Sequence, residues 1–273
     1  MTNTPPPDVS QYTNKSLEEL RESQERLNTR NAPTITELPK AYAEKLKQEP
    51  QPVTAEMIIQ RAMNLIARPA KALPQFMDYE TAKQIVWKIG NGILAQSDKT
   101  WIVEEPHKKI VEDLVKYFVN DPSGRHELHK GLYMFGDVGR GKTFLFKVMQ
   151  VFCQASNNQT RIFKVGNCAD ISDRALWAKD GMNEVISSHC SEAWLFDDLG
   201  NEPSAVKSYG NEVQVMERIL MQRYPKFVNG NCITHITSND TPEDFKNKYG
   251  SRLADRANEM FNFIMLSGTS KRQ

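Results

Sequence analysis

The sequence predicts an α/β fold, a five-stranded parallel sheet flanked by helices, and three observations carry that expectation. The first is Gly131 to Phe152, GLYMFGDVGRGKTFLFKVMQVF, where an apolar run feeds a glycine-rich turn and then a stretch with the apolar spacing of a helix. The second is Ala193-Trp194-Leu195-Phe196, a short apolar strand that ends in Asp197-Asp198. The third is alternation: Arg161 to Val165, Cys232 to Thr237 and Phe261 to Leu266 read as further strands, with helical patterns between them.

The glycine-rich turn fills the pattern G-x-x-x-x-G-K-[ST] with Gly136, Asp137, Val138, Gly139, Arg140, Gly141, Lys142 and Thr143. Glycines at these places let successive backbone N–H groups point at a β-phosphate with no Cβ in the way. Lys142 then reaches the β and γ phosphates, Thr143 offers a hydroxyl to Mg²⁺, and the helix that starts there adds its positive end. A chance glycine-rich turn would lack the flanking context of Leu132 to Phe135 and of Phe144, Leu145, Val148 and Phe152. The expected ligands are a nucleoside triphosphate, ATP, with Mg²⁺.

An acid at the carboxyl end of a core strand can hold the same metal ion, and a second acid beside it can polarise an attacking water. Asp197 takes the first role and Asp198 the second. Asn239 follows the strand that ends Thr237-Ser238 and is placed to touch the γ-phosphate or its water; a turn-forming asparagine is the plainer alternative. Thr241 caps the next helix, Gly250 ends it and Ser251 caps another, on which Arg252 and Arg256 lie four apart on one face. An ion pair of either arginine with Asp255 or Glu259 is the local alternative to a functional role.

Composition narrows the classes. A net charge of +1 gives no global basic field, so any nucleic-acid contact must come from a local patch. Arg174, Lys179 and Lys207 are candidates for it, with Trp177 and Tyr209 available for stacking, although core packing is the more ordinary use of Trp177. Cys153, Cys168, Cys190 and Cys232 are too widely spaced for C-x-x-C metal pairs and read as buried thiols in a reducing compartment. The first residues, MTNTPPPDVS, lack the basic and apolar regions of a leader, and no run is long enough to cross a bilayer, so no membrane partner and a cytoplasmic location are expected.

Two regions are expected. Residues 1–98 read as a helical, proline-punctuated and partly disordered region that selects a partner: a polar start with Pro5-Pro6-Pro7, a capping box at Ser16 and Glu19 with a thin stripe of Leu17, Leu20 and Leu27, a helix capped by Thr54 with Met57, Ile58, Met63 and Ile66 on one side, and an amphipathic helix from Tyr79 to Leu94. Residues 99–273 read as the nucleotide domain, opened by a buried helix after Pro106 and followed by helices at Asp170 to Lys179 and Asn211 to Tyr224. Few residues follow the last strand, so no carboxyl-terminal lid domain is expected.

GDVGRGKT, LFDDLGNE, ITSND and YGSRLADR, in this order and spacing, resemble the AAA+ ATPases of the DnaC-type helicase loader and IstB-type transposition ATPase group, over about Tyr117 to Leu266. The resemblance implies Asn239 as sensor 1, Arg252 or Arg256 as the finger completing a neighbour's site in a homo-oligomer, and loading of a replicative helicase onto single-stranded DNA. Three departures stand out. Asp198 occupies a place where AAA+ proteins commonly have Glu, which shortens the reach of the base and leaves Glu202 as a helper. Asp137 and Arg140 stand where this group often has Pro and Thr, putting one charge of each sign near the phosphates. Residues 1–98 match no pattern of the group. The other readings are an IstB-like regulator of a transposase, an adaptor that binds ATP with little hydrolysis, and a small-molecule kinase. The last would need an arginine-bearing lid soon after the phosphate loop, a pattern that residues 150–200 do not carry.

Overall fold

The computed structural model describes residues 54–59, 73–177, 181–203, 206–208, 211–230 and 232–268, divided between compact units Met1–Ala70 and Lys71–Gln273. In the first unit residues 55–59 are helical, and Thr54 caps them as expected, its Oγ1 accepting the Met57 N–H at 3.2 Å. The capping box at Ser16, the leucine stripe, the proline run, Met63 and Ile66 lie outside the described residues.

The second unit runs α1 (Tyr79–Ala95), α2 (Glu105–Phe118), β1 (Gly131–Phe135), α3 (Lys142–Ala155), β2 (Lys164–Asn167), α4 (Cys168–Trp177), α5 (Met182–Ser188), β3 (Trp194–Leu199), β4 (Val206–Ser208), β5 (Asn211–Val213), α6 (Val215–Val228), β6 (Thr234–Ser238), α7 (Pro242–Tyr249), α8 (Ser251–Met260) and β7 (Phe261–Met265). Five strands form one parallel sheet in the order β2-β3-β6-β1-β7. The chain leaves β1 toward β2 and leaves β6 toward β7, in opposite directions. A crevice therefore opens between the carboxyl ends of β1 and β6, the place where sheets of this class bind ligands. Register sets the edge: Phe135 stands beside Ser238, and Leu199 beside Ser238 after a bulge in β3.

The strand period of two divides the core between the sheet's faces. Leu132, Met134 and Leu195 pack with Phe118, Phe146 and Val148, while Tyr133, Phe196 and Ile236 pack with Ile171, Ile219, Phe245 and Leu253. α1 joins the first of these layers through Ala82 and Val86, so the compact unit takes in a helix that the sequence reading places in the amino-terminal region. Gly90 marks the contact, since a Cβ there would lie 2.2 Å from Trp101 Cε3. His235 is buried on the same face among the rings of Tyr117, Phe118, Phe146 and Phe163 and accepts the Leu132 N–H at 3.2 Å. Burial holds its imidazole neutral, its pKa brought down to about 3. All four cysteines are buried free thiols, and burial pushes Cys153 up to about 12.

Two boundaries and the burial of one side chain differ from the sequence reading. β2 begins at Lys164, because Arg161 turns inward, its Nε donating to Asn120 Oδ1 at 2.6 Å with its guanidinium 4.0 Å from the Tyr117 ring centroid. The helix read from Asn211 begins at Val215, since Asn211–Val213 pairs antiparallel with Val206–Ser208. Trp177 ends α4 at 84% exposure, against the expectation of core packing; an apolar pattern identifies a helix but not whether its last turn passes the edge of the core.

Arg223 is fully buried at the amino end of the sheet. Its Nε donates to Thr234 Oγ1 at 2.8 Å, and its two terminal nitrogens donate to the carbonyls of His189 at 2.7 Å, Glu192 at 2.9 Å and Ile233 at 2.8 Å. One planar fork thus ties α6 to the starts of β3 and β6. An ammonium has three donors and no such plane, so Arg223→Lys should lower the free energy of unfolding by roughly 2–4 kcal/mol. Chemical denaturation measures it, and a change under about 0.5 kcal/mol would contradict the role.

Candidate nucleotide site

The glycine-rich loop leaves β1 in a conformation that side chains would oppose. Gly136, Gly139 and Gly141 have φ of 140°, 81° and 94°. At Gly136 a Cβ would also lie 2.3 Å from the Leu266 carbonyl oxygen, because the end of β7 presses on the loop there, with the Leu266 N–H donating to Phe135 O at 2.7 Å. Gly141 in the left-handed region caps α3, whose first residues are Lys142 and Thr143.

Lys142 is 5% exposed, and its Nζ donates to the carbonyls of Gly136 at 2.6 Å and Asp137 at 3.0 Å and to Asn239 Oδ1 at 2.9 Å. The loop lysine and the asparagine after β6 therefore meet across the crevice. One helix position further, Thr143 Oγ1 donates to Asp197 Oδ1 at 2.9 Å, and the same carboxylate oxygen accepts the Thr237 hydroxyl at 2.5 Å. Thr237 Oγ1 in turn accepts the Asp198 N–H at 2.9 Å. The two aspartates divide: Asp197 faces Thr143, while Asp198, with a φ of 57°, turns to line the cavity.

That cavity has a volume of about 690 Å³. Its polar end is the loop from Val138 to Thr143 with Asp198 and Asn239; its other wall is largely apolar, with Leu94, Trp101, Ile102, Val103, Val111 and Leu266, and carries Lys99, Thr100, Glu104 and His107 among them. A charged end beside an apolar slot suits a nucleotide's phosphates and base. Trp101 secures the apolar wall, stacked on Trp87 with centroids 5.3 Å apart and set edge-on to Phe144 at 5.5 Å. Its backbone N–H donates to Asn91 Oδ1 at 3.0 Å. His107 closes the back, hydrogen-bonded to the Ser267 carbonyl. Sequence reasoning missed this wall, whose one local signal was Gly90 at the site of indole contact.

The residues present fit Mg²⁺. Thr143 Oγ1 and Asp197 Oδ1 are hard oxygen donors side by side, and a Mg²⁺ ion usually takes one or two protein oxygens and completes its shell with phosphate and water. Among the described residues no group of three or more His, Cys, Asp or Glu is arranged for a metal ion.

The remaining candidates are not all in the cavity. Asp137 and Arg140 pair with each other at 2.7 Å, and the hydrogen bond from Arg140 holds the Asp137 carboxyl below its usual range. The two opposite charges expected near the phosphates are thus partly spent on one another. Glu202 does not line the cavity; it is 6% exposed, with one oxygen accepting the Gly200 N–H at 2.8 Å and the other the Tyr249 hydroxyl. This geometry replaces its expected part as a helper to the base. Arg252 and Arg256 also lie outside the cavity lining. Arg256 folds over the Tyr224 ring at 4.6 Å from the centroid, where Nη1 meets Met221 Sδ, whereas Arg252 is exposed on the first turn of α8. Neither makes an ion pair with Asp255 or Glu259; Glu259 accepts the Tyr224 hydroxyl at 3.0 Å instead. Of the basic and aromatic candidates, Arg174 lies on α4 in contact with His189, Lys207 stands in β4, and Lys179 and Tyr209 lie outside the described residues.

No protein-family model and no curated protein matches the chain. Among solved structures it is similar to DnaI, 19% identical over 64% of this chain and 89% of that one with a TM-score of 0.46. It is similar as well to the DnaC helicase loader, 16% identical over 61% and 94% with a TM-score of 0.44. AMPPCP-bound DnaA from Aquifex aeolicus matches at 18% identity over 63% and 50% with a TM-score of 0.44. Sheet order, glycine-rich loop and strand-end acids in this chain itself make the second unit a P-loop α/β domain, the fold that the resemblance to DnaC-type AAA+ ATPases implies.

Removing the Lys142 cation would leave the β and γ phosphates without the charge that faces them, so Lys142→Ala should weaken ATP binding by about 100-fold or more, while Asp197→Asn keeps most of the affinity. Equilibrium titration with a fluorescent ATP analogue reads both. Unchanged affinity in the Lys142 variant would contradict the assignment of the loop.

Proposed function

We propose that this chain binds and hydrolyses ATP and works as a DnaC-like loader of a replicative helicase onto single-stranded DNA. The observation that carries the reading is the convergence of Lys142, Asn239, Thr143 and Asp197 at the mouth of a cavity that Asp198 also lines. Lys142 and the loop N–H groups hold the phosphates, Asn239 stands at the γ end, and Asp198 takes a proton from the attacking water as its oxygen bonds to the γ-phosphorus and the bond from that phosphorus to the β,γ-bridging oxygen breaks, so that ADP leaves and inorganic phosphate forms. Mg²⁺, when bound by Thr143 and Asp197, supplies neutralisation of the phosphate charge. Asp198 is one methylene shorter than Glu, and this favours slow turnover, which keeps an ATP-binding adaptor as the second reading.

The proposal extends to assembly, with a site shared between subunits. A finger must reach another subunit's γ-phosphate, so it must be accessible and outside its own cavity; Arg252 meets both conditions, and Arg256 is engaged with Tyr224. The same chain offers nucleic acid an indole at Trp177, exposed beside Arg174 on α4. Among the described residues no helix is long and apolar enough to cross a membrane. The client is the finer part of the proposal. Affinity capture on the full-length protein should recover a replicative helicase, and recovery of a transposase instead moves the client to the IstB-like reading.

Arg252→Ala should fold and bind ATP yet lose hydrolysis by about 10³-fold, the scale on which finger residues act. Mixed with Lys142→Ala protein it should regain part of that activity, because a subunit with an intact site can take its arginine from a neighbour that lacks only the lysine. Absence of recovery at every ratio, in samples shown to co-assemble, would sink the trans-acting arginine.

A further inference from the structure

The turn that follows β3, Asp198-Leu199-Gly200-Asn201, is held at nearly every backbone group. Asn201 N–H donates to Asp198 O at 3.2 Å, closing the turn. From β6, Thr237 Oγ1 accepts the Asp198 N–H at 2.9 Å and Ser238 Oγ donates to Leu199 O at 2.6 Å. From the other side, Glu202 accepts the Gly200 N–H at 2.8 Å and Lys248 donates to the Gly200 carbonyl. Glu202 also accepts the hydroxyl of Tyr249, the neighbour of Lys248 at the end of α7, and its carboxylate lies 4.0 Å from the Lys248 ammonium. Gly200 has a φ of 104° and packs so closely that a Cβ would lie 2.2 Å from Asp240 Oδ2. A buried carboxylate that spends both oxygens on a turn and a helix end, and none on the cavity, has a mechanical task rather than a proton to move.

We propose that Glu202 is a positioning residue for hydrolysis: with Lys248 and Tyr249 it ties the turn that aims Asp198 into the nucleotide cavity to the end of α7. The inference rests on the ATPase reading above. Asp198 stands at a positive φ and on a short side chain, so the place of its carboxylate follows its backbone closely; β6 holds the start of that turn through Thr237 and Ser238, and the clamp holds its far side at Gly200. α7 passes through Gly250 into α8, which carries Arg252. The clamp therefore joins the base of one site to the helix pair that bears the arginine.

Tyr249→Phe is the sharpest test. It removes one hydroxyl and leaves the Gly200 bond and the ring packing on Phe245, whose centroid is 4.8 Å away. Tyr249→Phe and Glu202→Gln should keep ATP affinity and KM, with kcat lowered about tenfold, since a displaced base costs rate and not binding. Glu202→Ala should lose more than Glu202→Gln, whose amide oxygen still accepts the Gly200 N–H. In single-turnover rates Tyr249→Phe should add no further loss to Asp198→Asn, whereas general loosening of the fold would add its own factor. Wild-type kcat in both conservative variants, or a full multiplicative loss on top of Asp198→Asn, overturns the positioning role alone. A wild-type protein that releases no phosphate overturns the ATPase reading and this inference with it.

Discussion

A lysine ammonium at 5% exposure, held by three oxygens at the carboxyl edge of a parallel sheet, sets the conditions for the rest of the second unit. Taking a cation out of water costs several kcal/mol unless oxygens replace its hydration. Gly136 and Asp137 can aim their carbonyls at Lys142 only if the loop curls through positive φ, and hence only with glycines at Gly136, Gly139 and Gly141. Asn239 can reach it only if β6 lies against β1, which the sheet order provides. The same edge then brings Asp197 to Thr143, so one electrostatic requirement links the loop, the sheet order and the pairing of these two oxygen donors.

Beneath that edge the scaffold is stiff for separate reasons. Aromatic rings enclose a neutral His235 under β1 and β6. At the far end of the sheet Arg223 joins three elements through hydrogen bonds to carbonyls and a hydroxyl. Burial of that guanidinium lowers its pKa, but an arginine keeps its charge at any ordinary pH, and its donors remain available. A site whose atoms must stay within a fraction of an ångström of a reacting phosphate needs supports of this kind.

Local chemistry made part of this legible in the sequence. Loop glycines, the acids after Phe196, the Thr54 cap and the full capping box of Thr241 with Asp244 depend on neighbours in the chain, so the pattern and the geometry coincide. Tertiary contacts left no such trace. The apolar wall of Leu94, Trp101 and Leu266 comes from segments that share no period. Glu202 stands four residues after Asp198, which suggested catalytic help, yet its oxygens go to Gly200 and Tyr249. Arg256 shares a helix face with Arg252 and differs from it only because Tyr224 on α6 lies under one of them. The antiparallel pair β4 and β5 went unseen for a related reason: three-residue strands are too short for alternation to show.

Following the terminal phosphate of γ-labelled ATP in the presence of Mg²⁺ and the full-length protein tests the central claim most directly. The account predicts saturable release of inorganic phosphate with no labelled acceptor, as expected if Asp198 is the base that activates water, the role proposed for it. Transfer of the label to another molecule, or binding of ATP with no turnover in assembled protein, would contradict it.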